Sequence, residues 1–148
     1  MPDNVNDYLS NGTLFSKLSD ITRIVDPLRK TVIEYKNKDV VIDGIHCFDF
    51  WGQNKVCDNC ISMRAYNDNK TYVKIEYNKE KIYLITAVPH DLNDRRVVIE
   101  ILKDITNSLL LSSYENEAVD STGIHALIDN MNKSAYSDPL TGLYNRRY

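Results

Sequence analysis

Three cysteines carry the most reactive chemistry in this chain. Cys47, Cys57 and Cys60 follow the spacing C-x9-C-x2-C. Two residues between Cys57 and Cys60 let both sulfurs face one ion, as in a metal chelate. A thiolate-rich set favours zinc or an iron–sulfur cluster. Three thiolates fall one short of a closed zinc site, so His46 or His90 completes it, or one position stays open. Without metal, the same pair is a dithiol that oxidises reversibly. Isolated cysteines otherwise behave as small buried hydrophobes. An oxidoreductase of the thioredoxin kind needs a βαβ context around C-x2-C, which is missing here. Beside Cys47, Phe50 and Trp51 either line a ligand cavity or join the core. No residue reads as catalytic. His125, Lys74, Glu76 and the run Lys79-Glu80-Lys81 are expected on solvated surfaces.

Length and composition bound what can position these groups. At 148 residues the chain fits one domain, since domains average roughly 150 residues. A domain of that size buries about 70% of its unfolded surface. The composition, 43% hydrophobic and 26% charged, excludes collagen and bulk disorder. Eighteen Lys and Arg against 21 Asp and Glu give a net charge of −3. That balance exerts no overall pull toward nucleic acid or an anionic membrane. No apolar run approaches the ~20 residues of a membrane span. The polar, acidic start MPDNVNDYLSNG is unlike a signal peptide. The expected compartment is therefore the cytoplasm, where thiols stay reduced, metal-bound or redox-active.

Hydrophobic periodicity then places the elements. Leu9, Leu14, Phe15, Leu18, Ile21 and Ile24 fit one helix face from Thr13 onward. Asp26-Pro27 ends that helix. Thr31–Tyr35 and Val40–Ile45 read as a hairpin across the turn 36–39. Ser62–Tyr66 reads as a short helical turn. Tyr72–Tyr77 alternates, with Tyr72, Lys74 and Glu76 on one face and Val73, Ile75 and Tyr77 on the other. Asn78–Lys81 is a tight turn, Ile82–Val88 a strand, Pro89–Asp94 a loop and Arg96–Ile105 the last strand. Short loops make these an antiparallel meander, hence α+β rather than doubly wound α/β. From Asn107 to Ser137 apolar residues recur at helical steps, with Ser121 or Thr122 as a second cap and Gly123 as a weak point. About 30 helical residues span roughly 45 Å. Such a helix protrudes or pairs with its twin as a coiled coil in a homodimer, unless it breaks and folds back on the sheet.

The last eleven residues, Asp138-Pro-Leu-Thr-Gly-Leu-Tyr-Asn-Arg-Arg-Tyr148, resemble the opening of a GGDEF domain, the diguanylate cyclase family. That family usually begins D-x-L-T-G-L-x-N-R-R, and Asp138, Leu140, Thr141, Gly142, Leu143, Asn145, Arg146 and Arg147 all match. The resemblance implies a catalytic half further downstream that makes cyclic di-GMP from GTP. The residues in hand would not be an enzyme.

The stretch before it resembles a PAS sensor domain. The order of hairpin, short helices, meander and exiting helix fits. Ile101-Leu-Lys-Asp-Ile-Thr106 resembles the "DIT" ending of PAS domains, with Asp104 and Thr106 at the join to a signalling helix. Cys47-Phe48-Asp-Phe-Trp51 with Cys57 and Cys60 resembles a cysteine-bearing subset of bacterial PAS domains. Together these imply a helical segment at 1–18, a PAS sensor at 19–106, a signalling helix at 107–137 and the start of GGDEF at 138–148. The implied function is sensory: a small ligand, a metal or a redox change alters how two GGDEF domains meet. The alternative from another class is a dimerisation scaffold that binds no ligand.

Overall fold

The computed structural model describes residues 13–36, 39–108, 121–138 and 140–144. The elements are α1 (Thr13–Leu18), β1 (Ile21–Asp26), β2 (Thr31–Lys36), β3 (Asp39–His46), a 3-10 turn (Asp49–Trp51), α2 (Ile61–Asp68), β4 (Tyr72–Tyr77), β5 (Ile82–Leu92), β6 (Arg95–Asp104) and α3 (Ser121–Tyr136). The strands form one antiparallel sheet in the order β3-β2-β1-β6-β5-β4. The class is α+β, as the patterning implies. No described helix is long and apolar enough to cross a membrane.

The N-terminal expectation needs correction. The helix stops at Leu18, and Ile21–Asp26 is a strand. Residues 8–12 lie outside the described residues. Ile21, Thr22, Ile24 and Val25 are β-branched and stiff, which suits a pleated surface better than a helix. The strand also pairs on both sides, with β2 and β6, so tertiary hydrogen bonding overrides the helical spacing. Asp26 still ends the element, because its Oδ1 accepts from the backbone N–H of Leu28 and Arg29.

The meander follows the sequence reading, except that β5 is longer. Pro89–Leu92 continues the strand and pairs with Arg95–Val98. Asn93 and Asp94 both hold positive φ, 48° and 62°, which makes a two-residue turn between long antiparallel strands. The turn chemistry sits four residues later than the proline that suggested a loop.

Faces along β4 are also reversed. Lys74 pairs with Ile85, and Glu76 with Tyr83. Directly opposite residues share a face. Ile85 and Tyr83 belong to the main core, so Lys74 and Glu76 point inward and are buried, while Val73 is exposed. That core gathers Val25, Val98, Leu102, Ile85 and Tyr83 from the sheet with Trp51, Ile61 and Ala65 laid over it.

The C-terminal helix does not stand away from the sheet where it is described. Ile124 and Ile128 bury against Ile82 and Ile105, with Ile75 and Tyr77 packed alongside. β4 is an edge strand, and α3 covers it, with Asn132 Nδ2 donating to the Ile75 carbonyl at 3.1 Å. Two isoleucines one helical turn apart thus find an apolar strip on the sheet. This is the folded-back alternative over residues 121–136; residues 109–120 lie outside the described residues. Leu127 and Met131 remain exposed.

Candidate functional site

The three cysteines line one small, partly open cavity. Cys47 follows β3, its N–H tied to the Lys30 carbonyl at 2.9 Å. Cys60 is the N-cap residue of α2, with extended φ and ψ of −77° and 92°. Cys57 stands three residues earlier. All three line a space of about 20 Å³, together with Arg23, Trp51, Ser62, Lys74, Ile85 and Glu100. That is room for one water-sized species.

The floor of the cavity is built by strand register. Arg23 pairs with Glu100 across the β1–β6 ladder, and Glu100 lies opposite Ala87 on β5. Glu100 Oε2 accepts from Arg23 Nε at 2.6 Å, and its Oε1 accepts from Ser62 Oγ on α2 at 2.6 Å. The Arg23 guanidinium also lies over the Phe50 ring, 5.4 Å from its centre. Beside this pair, Lys74 Nζ donates to the Asn59 carbonyl at 2.9 Å and to Glu76 Oε2 at 3.1 Å. Every charge here has an opposite partner, which is how buried charge is tolerated.

Burial sets the state of the thiols. It pushes Cys47 up to about 12, with the nearby Glu100 carboxylate adding to the effect. Burial likewise pushes Cys57 up to about 11, with Lys74 opposing the rise. At neutral pH both are neutral thiols, weak nucleophiles and weak metal ligands.

Expected site residues separate on this geometry. Cys47, Cys57 and Cys60 meet at the cavity, and Trp51 lines it. Phe50 does not; it packs edge-on against Trp51 and Tyr83 and beneath Arg23. His46 is exposed and stacked on Phe48 at 4.9 Å, and His90 is exposed on β5, so neither lines the cavity. Among the described residues, no three His, Cys, Asp or Glu side chains are arranged to hold one ion. The wall already carries two cations, Arg23 and Lys74. As arranged, the donor set does not fit zinc or an iron–sulfur cluster.

Sequence reasoning missed the ionic floor and its link to α3. Lys74 and Glu76 are buried, not solvated. Asn59 Nδ2 donates to Asn132 Oδ1 on α3 at 3.2 Å, and Asn132 Nδ2 reaches Glu76 Oε2 at 3.4 Å. Arg64 Nη2 on α2 donates to the Ala135 carbonyl of α3 at 2.8 Å. The readable signal was a charge at an inward position: Arg23 between Ile21 and Val25, and Glu100 between Val98 and Leu102. Outside the cavity, an open groove of about 700 Å³ runs between α3 and residues 51–59, with Lys79 and Lys133 at its sides. His125 is half-buried there, stacked on Tyr77 at 3.9 Å, rather than solvated.

Two further motifs take definite shapes. Asp104 Oδ1 accepts from the N–H and Oγ1 of Thr106, and Lys81 Nζ meets Asp104 Oδ2 at 2.9 Å. Thr106 Oγ1 in turn accepts from the Ile82 N–H. Asp138 closes its own turn: Oδ1 accepts from Leu140 N, Thr141 N and Thr141 Oγ1, and its backbone bonds to Gly142 and Leu143. Gly142 takes φ of +69°, a conformation that favours glycine. Leu140 and Leu143 are exposed. Asn145, Arg146 and Arg147 lie outside the described residues.

No known protein family and no curated protein matches this chain.

Proposed function

We propose that this chain is a cytoplasmic sensory module of PAS type, placed ahead of a GGDEF catalytic region and not itself catalytic. It reads a small ligand or a redox change in the cysteine-walled cavity. Its output is the geometry of a homodimer, which sets how two GGDEF domains meet to make cyclic di-GMP. One observation carries this reading. Asn132, on the helix that leads toward the Asp138 motif, hydrogen-bonds Asn59 and Glu76. Those two residues hold Lys74 on the cavity floor. Whatever changes the cavity therefore changes the seat of α3. A switch of this kind needs two helix arrangements that the signal favours differently. Support also comes from the element order and from the Asp104–Thr106 clasp at the end of the sheet.

The test is cyclic di-GMP formation from GTP by the full-length protein, purified without oxygen. Hydrogen peroxide and dithiothreitol are added separately. The expected result is that at least one treatment changes output several-fold and that Asn132→Ala abolishes the response while turnover persists. A protein that never makes cyclic di-GMP overturns the GGDEF assignment. Output indifferent to every treatment leaves the ligand-free dimerisation scaffold instead.

A further inference from the structure

We infer that Cys57 and Cys60 form a reversible disulfide, and that closing it moves Asn59 and so loosens the hold of the cavity on α3. The inference rests on the sensory reading above for its output, but not for its chemistry.

Three placements support it. First, Cys57 and Cys60 belong to one short turn and line the same small cavity. Two residues separate them, a spacing over which a tightened turn can bring two cysteines to disulfide geometry. Cys47 is a poorer partner, because its backbone is fixed to Lys30 at the base of the β2–β3 hairpin. Second, Asn59 lies between the two cysteines and does double duty. Its carbonyl accepts from Lys74, and its amide donates to Asn132. Third, Asn59 is 5% exposed, yet its Oδ1 has no hydrogen-bond partner among the described residues. Asn59 thus ties the turn to Lys74 through its backbone and to Asn132 through its side chain, so a displacement of the residue disturbs both bonds.

The oxidant is a peroxide. One cysteine, as thiolate, attacks a peroxide oxygen. The O–O bond breaks, water leaves, and that sulfur becomes a sulfenic acid. The second thiolate attacks the same sulfur, the S–O bond breaks and a second water leaves. Two thiols and one hydrogen peroxide give one disulfide and two waters. The peroxide gains the two electrons that the sulfurs lose. A small dithiol reverses the step. Because burial holds Cys57 as a neutral thiol, the pair answers sustained oxidant rather than a trace.

The experiment uses the full chain, purified without oxygen, treated with hydrogen peroxide, quenched with an alkylating reagent and digested. The expected product is a peptide linking Cys57 to Cys60 with Cys47 alkylated, restored to free thiols by dithiothreitol. Amide exchange across Ser121–Tyr136 is expected to speed up about tenfold on oxidation. Cys57→Ser should abolish both changes. Asn59→Ala should keep the disulfide but show no further gain in exchange. Asn132→Ala, on the helix side of the same bond, gives the same readout if Asn59→Ala fails to fold. A disulfide to Cys47, no disulfide, or a Cys57–Cys60 disulfide with unchanged exchange each overturns the inference. The sensory reading fails separately: the disulfide forms and α3 loosens, but cyclic di-GMP output of the full-length protein does not move.

Discussion

Arg23 Nε lies 2.6 Å from Glu100 Oε2, and the two residues are direct partners in the β1–β6 ladder. Backbone register alone therefore delivers a guanidinium to a carboxylate inside the sheet. Both side chains are about nine-tenths buried. Removing one partner strands the other. Arg23→Met should destabilise the fold by about 3–5 kcal/mol, whereas Arg23→Met with Glu100→Leu should cost much less. Urea unfolding of the three proteins measures this. A double variant as unstable as the single one would show that the charges themselves, not their mutual compensation, hold the site.

Asp104 supplies a pH signature. Hydrogen bonds from Thr106, then the Lys81 ammonium, lower its carboxyl to about 2 from 3.8. A lowered carboxyl stabilises the fold above its unfolded pKa, and the contribution disappears as pH falls through the folded value. Stability should thus drop between about pH 4 and pH 2 in the native protein. Asp104→Asn should be less stable at neutral pH and flatter across that window. Thermal midpoints taken at half-unit pH steps decide it.

Thiol reactivity should follow burial. With Cys47 at about 12 and Cys57 at about 11, alkylation at neutral pH is slow. The rate at Cys57 should rise about tenfold for each pH unit until it levels near its pKa. Mass spectrometry of iodoacetamide-treated protein follows each site. Fast modification of Cys57 at neutral pH would show an open cavity instead.

Ile128 tests the seat of α3. It is 2% exposed against the sheet. Ile128→Ala should cost about 2–5 kcal/mol of whatever holds the helix down. Amide exchange should accelerate in Ser121–Tyr136 before it does in the core strands. Equal acceleration everywhere would mean that helix and sheet unfold as one unit.

Much of this fold was legible because period and turn chemistry agree locally. Tyr72–Tyr77 alternates, Asn78 closes the next turn with its own side chain, and the strand resumes at Ile82. Ile21–Asp26 misled because its apolar spacing also fits a helix; only pairing with β2 and β6, distant in sequence, decides it. Lys74 and Glu76 misled for a different reason. Alternation tells which residues share a face, but not which face is covered, and on β4 the face of Lys74 and Glu76 is the buried one while Val73 is exposed. The cysteine spacing pointed to Cys47, Cys57 and Cys60, which line one cavity. It could not show that two cations, Arg23 and Lys74, and the Glu100 carboxylate would share their cavity, because those arrive from three strands through register.

The closed turn at Asp138 has a mechanical consequence. Its carboxylate grips the two residues that follow proline, and a bridge joins Ser137 to Tyr144 just past the end of α3. Ser137 is itself bonded back to the Lys133 carbonyl by both its N–H and its hydroxyl. Among the described residues 137, 138 and 140–144, these bonds fasten the turn to the last turn of α3. Tyr144 is thereby anchored by its bridge to Ser137, the residue that follows the last turn of α3, rather than only through the chain between them.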